Sequence, residues 1–300
     1  MTKQTRATAI GFFAILLWSS IVSLIREVSQ SFGATAGAAL IYSVASVLLF
    51  FSVKWIPLRK FPGNYLVFGA LLMVSYELCL ALSIGYSANS KQAIEIGMVN
   101  YLWPSFTMIA TVIFTAKKAN WLILPGIVLS MVGIVWVLGG DEGFNISEVF
   151  TNIKTNPLSY GLAFLGALLW AAYCVVTIKI ARGVNGITLF FMLVSVVLWL
   201  KYVIVGDQSH MHFDLHSVIY LLLAGGAMGF GYAAWNVGIL GGNVTVLAGA
   251  SYFIPVMSSA LSSVLLATPL GLSFWQGALM VCFGSILCWL STRKPSVKIA

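Results

Sequence analysis

Ten apolar runs, each about as long as a bilayer is thick, dominate this sequence. They fall near residues 9–27, 34–53, 65–86, 94–115, 121–139, 158–180, 186–205, 217–239, 244–267 and 273–291. A helix needs about 20 mainly apolar residues to cross the hydrocarbon core. Without water there, only helices and closed barrels satisfy their own backbone. Charged residues make up 8% of the chain, against about 25% in soluble domains, and mean hydropathy is +0.98. The expected fold is therefore an all-α membrane protein with ten transmembrane helices. It forms one transmembrane domain in the lipid bilayer and leaves no room for a sizeable soluble one. Met1–Thr8 is basic, but the run from Ala9 leads to Arg26 and further spans, with no clear small-residue cleavage site. It reads as a first span, not a removable leader.

The net charge of +8 does not point to nucleic acid, because the bases sit in short loops where orientation signals belong. With the N-terminus in the cytoplasm, twelve of the 16 bases fall in cytoplasmic segments. These are Lys3 and Arg6; Lys54, Arg59 and Lys60; Lys117 and Lys118; Lys179 and Arg182; and Arg293, Lys294 and Lys298. No Asp or Glu falls there. Both termini are expected inside, with an even number of spans. Cys79, Cys174, Cys282 and Cys288 lie in apolar runs without metal-type spacing and read as free thiols. Asn145-Ile-Ser is a glycosylation-type triplet that matches by chance often enough to carry no weight.

The two halves resemble each other. Ala14-Ile-Leu-Leu-Trp18 is similar to Ala167-Leu-Leu-Trp170, and at an offset of about 151 residues Tyr101 meets Tyr252, Pro104 meets Pro255, Gly126 meets Gly277 and Gly133 meets Gly284. Each half holds five predicted spans, an odd number, so the second enters from the opposite side. The expected organisation is two inverted five-helix repeats, 1–140 and 158–300, joined by a connecting loop over 141–157. Pro104 and Pro255 interrupt apolar spans at matching places. Proline removes a backbone donor, and paired broken helices point to a transport site at the repeat interface near the midplane.

The order of elements, the paired aromatic-x-Pro fourth and ninth spans and the glycine-spaced fifth and tenth spans resemble the EamA branch of the drug/metabolite transporter superfamily. Tyr76-Glu-Leu-Cys-Leu-Ala-Leu-Ser-Ile-Gly-Tyr86 and Asn100-Tyr-Leu-Trp-Pro104 are similar to its bacterial exporters of aromatic amino acids. The resemblance covers nearly the whole chain. It implies export of aromatic or apolar amino acids and related metabolites by alternating access. An exporter of cationic compounds or multiple drugs from the same superfamily is the competing reading.

Helix faces at 100° per residue gather polar and aromatic side chains into stripes. Ser75, Tyr76, Cys79, Ser83, Tyr86 and Ser87 share one sector of the third span, and Gln92, Asn100, Trp103, Thr107 and Thr111 one of the fourth. Ala163, Gly166, Trp170, Tyr173, Cys174 and Thr177 share one of the sixth. Gly225, Gly229, Tyr232 and Asn236 line the eighth, and Ser251, Pro255, Ser258, Ser259 and Ser262 the ninth. Lipid has no use for hydroxyls and amides, so these faces are expected to point inward. The candidate substrate-binding residues are Trp103, Trp170, Tyr76, Tyr86, Tyr101, Asn100, Tyr173, Asn236 and Tyr252. Aromatic walls suit a ring-bearing amphiphile. Trp55, Trp121, Trp199 and Trp289 lie near span ends and read as interfacial belt residues. Gly126, Gly133, Gly277 and Gly284 read as helix packing.

Glu77 is mid-span. An intramembrane acid is costly and marks function, so Glu77 is the candidate for coupling or for holding a substrate ammonium. Lys91 and Glu95 read as a solvated pair one turn apart, and Arg26 as a base snorkelling outward. His210, His212 and His216, with Asp207 and Asp214, have the residue types of a metal site, but a solvated loop explains them and no metal is expected. Sugar phosphates would need mid-span bases, and none is found. No His-x-x-x-His, paired-Asp, Gly-x-Ser-x-Gly or Gly-x-x-x-x-Gly-Lys pattern appears, which argues against an enzyme, a cofactor or an ATP-driven pump. The expected partners are a small-molecule substrate and lipid. The sequence sets no oligomeric state, and a monomer is compatible with it.

Overall fold

The structure is a computed structural model that describes residues 1–53, 55–116, 118–205 and 211–292. Among the described residues there is no strand. The helices are α1 Lys3–Ser19, α2 Ile21–Phe32, α3 Ala34–Ser52, α4 Gly63–Gly85, α5 Ser90–Asn100, α6 Trp103–Phe114, α7 Ile123–Leu138, α8 Ile146–Thr155, α9 Pro157–Ile180, α10 Ile187–Val205, α11 Leu215–Gly241, α12 Val244–Ser251, α13 Ile254–Leu265 and α14 Leu272–Ser291. The chain is an all-helical, multi-pass membrane protein. Among the described residues, seven stretches are long and apolar enough to cross a bilayer, or eight if the bent pair α1–α2 is one span. The sequence predicts ten. The difference lies in α7, at 16 residues, and in α12–α13, whose helix is interrupted at Tyr252 and Phe253.

The two Pro-containing spans break where expected. α5 ends at Asn100 and α6 restarts at Trp103, with Pro104 in its first turn. α12 ends at Ser251 and α13 restarts at Ile254, with Pro255 in its first turn. Proline is tolerated there because its missing N–H would have no helical partner anyway. A further bend, of 42°, lies between α1 and α2. Serines cause it. Ser19 Oγ donates to the Ile15 carbonyl at 2.8 Å, Ser20 Oγ to Leu17 at 2.7 Å and Ser23 Oγ to Ser20 at 2.9 Å. Such back-bonding competes with the helical ladder and bends it.

α7 and α14 pack antiparallel at backbone distance. A Cβ on Gly126 would lie 2.8 Å from the Gly284 carbonyl, and one on Gly133 would lie 2.7 Å from that of Gly277. The contact is reciprocal: a Cβ on Gly277 would lie 2.7 Å from the Gly133 carbonyl, and one on Gly284 2.6 Å from that of Gly126. Small residues are what let membrane helices approach this closely. Elsewhere the halves interleave, with α1 along α11, α4 along α9 and α3 along α10.

The connection over 141–157 is not a plain loop. It holds α8, whose Asn145 cap accepts from the Glu148 amide at 3.1 Å. Ile146, Val149, Phe150 and Ile153 fall at helical spacing; Val149 is buried, while Ile146 and Phe150 are exposed.

The two ends of the bundle differ. α5 packs on α2 at one end and α12 on α1 at the other. At the α5 end, every residue from Gln92 to Asn100 is buried. At the α12 end, Leu247 and Ser251 are buried, Ala248, Gly249 and Ala250 are half-buried, and Val246 is exposed.

Candidate functional site

A cavity of about 230 Å³ lies between elements of both halves. Seven of its seventeen lining residues are aromatic. The bend after α1 brings in Trp18, followed by Ile21 and Val22; α4 supplies Tyr76, Glu77 and Leu80. The α5–α6 break supplies Gly97, Asn100, Tyr101 and Trp103. α9 gives Trp170 and Cys174, α11 gives Met228, Tyr232 and Trp235, and Ser251 and Ile254 flank the second break. Trp170 is the hub, with ring centroids 4.8 Å from Tyr76, 5.8 Å from Trp103, 5.6 Å from Tyr173 and 6.4 Å from Tyr232. Trp18 packs 5.1 Å from Tyr232 and 5.2 Å from Trp235. The indole nitrogens of Trp18 and Trp170 are buried with no hydrogen-bond partner among the described residues. Asn100 Nδ2 donates to the Ala163 carbonyl at 3.2 Å.

Glu77 is fully buried in this wall. Tyr42 of α3 donates to its Oε2 at 2.6 Å, and Tyr232 of α11 donates to its Oε1 at 2.9 Å. One carboxylate thus ties three helices together. No lysine, arginine or histidine of the described residues lines the cavity.

Of the nine residues expected from the sequence to bind substrate, Trp103, Trp170, Tyr76, Tyr101 and Asn100 line this cavity, and four do not. Tyr86 lies at the α5 end, where its hydroxyl accepts from Lys201 Nζ at 2.9 Å. Tyr173 stands behind Trp170 with its hydroxyl 3.4 Å from that of Tyr65. Asn236, one turn beyond Tyr232, is half-buried outside the lining. Tyr252 is buried against Trp289, 5.9 Å between rings. Trp18, Tyr232 and Trp235 also line the cavity; Tyr232 lies on the inward stripe expected for the eighth span, while Trp18 and Trp235 are not among the expected residues. Trp18 shares its local pattern with Trp170, and Trp235 follows Tyr232 by one helical turn, so both signals were present.

Other charged and polar side chains also differ from expectation. Glu95 is buried and accepts from Tyr160 at 2.8 Å, instead of standing in solvent with Lys91. Arg26 turns inward and donates to the carbonyls of Ser87 at 2.6 Å and Ala88 at 3.4 Å. Lys201 also donates to Thr35 Oγ1 at 2.9 Å. Asn156 Nδ2 donates to the Tyr86 carbonyl and to Gln92 Oε1, both at 2.9 Å. Together these bonds lace the α5 end shut. Trp199 Nε1 donates to Ser43 Oγ at 3.0 Å, while Trp121 is 74% exposed.

Of the metal-type loop, Asp207 and His210 lie outside the described residues, as do Lys54, Lys117 and the bases from Arg293 onward. Among the described residues no three His, Cys, Asp or Glu side chains converge on a metal position. Asp214 caps α11 instead. It accepts from the Ser217 amide at 2.7 Å, and the Ser217 amide and hydroxyl hold its carboxyl below the usual carboxylate range.

Comparison with known proteins agrees with this architecture. The chain is 56% identical to the aromatic amino acid exporter YddG of Salmonella typhimurium, over 98% of this chain and all of that protein. It is 57% identical to the protein of the same name from Escherichia coli, with the same coverage. The chain belongs to the YddG family. That family lies in the EamA branch of the drug/metabolite transporter superfamily. A YddG from Ancylobacter novellus is 24% identical over 97% of this chain and all of that one. A solved crystal structure, 23% identical, covers 95% of this chain and 98% of its own at a TM-score of 0.69, which speaks for the fold. No family model matches the chain.

Proposed function

We propose that this protein exports aromatic amino acids by alternating access, with the central cavity as the substrate site. Trp103, Trp170, Tyr76, Tyr101 and Asn100 form its walls, joined by Trp18, Tyr232 and Trp235. The observation that carries this reading is the aromatic box around Trp170, set where elements of both halves meet. The full-length YddG relatives are named for this cargo. The volume of about 230 Å³ is below the roughly 300–1,000 Å³ of drug-sized sites. It suits one ring with a short polar end better than a multidrug cargo.

The reading includes ten spans in two inverted repeats, 1–140 and 158–300, with the termini in the cytoplasm of a bacterial inner membrane. Three observations support it. α6 and α13 have the same length and are offset by 151 residues at both ends. The glycine contacts of α7 and α14 map onto one another under that offset. The pairing of α1 with α11 is the repeat counterpart of that of α9 with α4. In this frame the laced α5 end is periplasmic and the looser α12 end cytoplasmic, an inward-facing state ready to load cargo.

Counterflow of labelled phenylalanine, tyrosine and tryptophan in proteoliposomes tests the cargo. Saturable exchange of these over alanine and lysine is expected; equal exchange of all five, or none, refutes it. Lys298→Cys in intact cells should stay unlabelled by an impermeant thiol reagent added outside, and ready labelling would overturn the orientation.

A further inference from the structure

We infer that Glu77 is the receptor for the α-ammonium group of the cargo, and so the residue that makes this site choose amino acids over other aromatic acids. The inference rests on the reading of the cavity as the substrate site. Among the described residues Glu77 is the one acidic side chain in the cavity wall, and no basic side chain of theirs lines it. A buried carboxylate without a cation is costly, and intramembrane acids normally have a partner. The protein supplies only neutral donors, the phenols of Tyr42 and Tyr232. A carboxylate has about four lone-pair sites, so capacity remains for an ammonium.

Geometry decides how the ammonium arrives. Glu77 and Tyr42 are both fully buried, so Tyr42 is fixed. Tyr232 is half-buried and lines the cavity. It is the donor that swings aside when cargo enters, exchanging a bond from a neutral phenol for one in which donor and acceptor are both charged. The indole nitrogens of Trp18 and Trp170 are buried in the wall, with Trp18 Nε1 against Gly231, so the acceptor pole at Glu77 is what distinguishes the ends of a zwitterion here.

The test is competition against labelled phenylalanine counterflow in proteoliposomes. Phenethylamine keeps the ammonium and lacks the carboxylate; 3-phenylpropionate is the reverse. In the wild-type protein, phenethylamine should compete at least ~10-fold better than 3-phenylpropionate. In Glu77→Gln, which keeps size and hydrogen bonding, that preference should fall at least ~10-fold. Equal competition by the two analogues in the wild type, or a preference unchanged in Glu77→Gln, overturns the assignment. A variant that keeps the preference and alters only the pH dependence of flux overturns it too, in favour of a proton-carrying role. If Glu77→Gln fails to reach the membrane, the wild-type ranking decides alone. Failure of phenylalanine to exchange at all would instead strike the cargo reading on which this rests.

Discussion

α5–α6 and α12–α13 are built alike and buried differently. Each opens on an asparagine cap: Asn89 accepts from the Gln92 amide at 2.9 Å, and Asn243 from the Val246 amide at 3.2 Å. Each breaks just after a tyrosine, Tyr101 or Tyr252, and restarts as a 12-residue helix with proline in its first turn. Yet α5 is buried from Gln92 to Asn100, and Asn156 donates to Gln92 at its start, whereas at the α12 end the Asn243 amide donates to Thr8 Oγ1 in an exposed bond of 2.8 Å. Local sequence sets where a span breaks. Which break is buried is set by what the other helices bring to it, and on the alternating-access reading one pattern serves two gates.

The largest test of this contrast is steric. A Cβ on Gly97 of α5 would lie 2.8 Å from Val22 Cγ2, while one on Gly249 of α12 would meet only Trp289, at 3.8 Å. Overpacking costs about 1–3 kcal/mol, so Gly97→Val should cut flux by about tenfold or more and lower Tm. Gly249→Val should stay within about twofold, and equal effects would erase the distinction between the ends. The next test is chemical. In a cysteine-free background, Ala248→Cys should react with a small thiol reagent at least ~10-fold faster than Ala93→Cys, since Ala93 is fully buried and Ala248 is not. Similar rates would mean that both ends breathe alike.

The tryptophans between the gates sharpen the comparison further. Aromatic pairing contributes about 0.5–1.5 kcal/mol beyond area burial, so Trp103→Ala and Trp170→Ala should each weaken aromatic cargo by about tenfold or less. Trp121→Ala, at an exposed position outside the cavity, should have little effect. Uniform behaviour of the three would make them packing residues. The smallest effect belongs to Asp214, outside both gates. Its folded pKa is depressed by Ser217, so the stability it adds is present above its unfolded pKa of about 4 and lost as pH falls through the lower folded value. Asp214→Ala should lower Tm slightly at pH 7, and the difference from wild type should vanish on acidification.

Much of the helical layout is legible in the apolar runs and in Pro104 and Pro255, because bilayer thickness and a missing N–H act locally. Four cavity residues are legible for the same reason: Trp103, Trp170, Tyr76 and Asn100 lie on faces that lipid would reject, while Tyr101 is marked by its match to Tyr252 in the second half. What escapes is non-local. The bend at Ser20 comes from three serine hydroxyls acting together, and it carries Trp18 into the cavity. Tyr86 belongs to an aromatic stripe, yet Lys201, 115 residues away, claims its hydroxyl. Glu95 sits one turn from Lys91, yet Tyr160 of another helix holds it. α8 is a different kind of miss, since its apolar spacing and Asn145 cap were present in a stretch assigned to loop by its polarity.

The length of α7 has a consequence for the lipid. Its 16 residues rise about 24 Å at 1.5 Å each, while a typical hydrocarbon core is about 30 Å thick. On the ten-span reading, α7 is held at backbone contact with α14 and cannot lengthen by tilting away on its own. The bilayer has to thin along that edge, at a fraction of a kcal/mol per Å of mismatch. On that reading the protein favours short acyl chains locally, and the membrane's thickness becomes a variable in how steadily the α7–α14 side holds its shape.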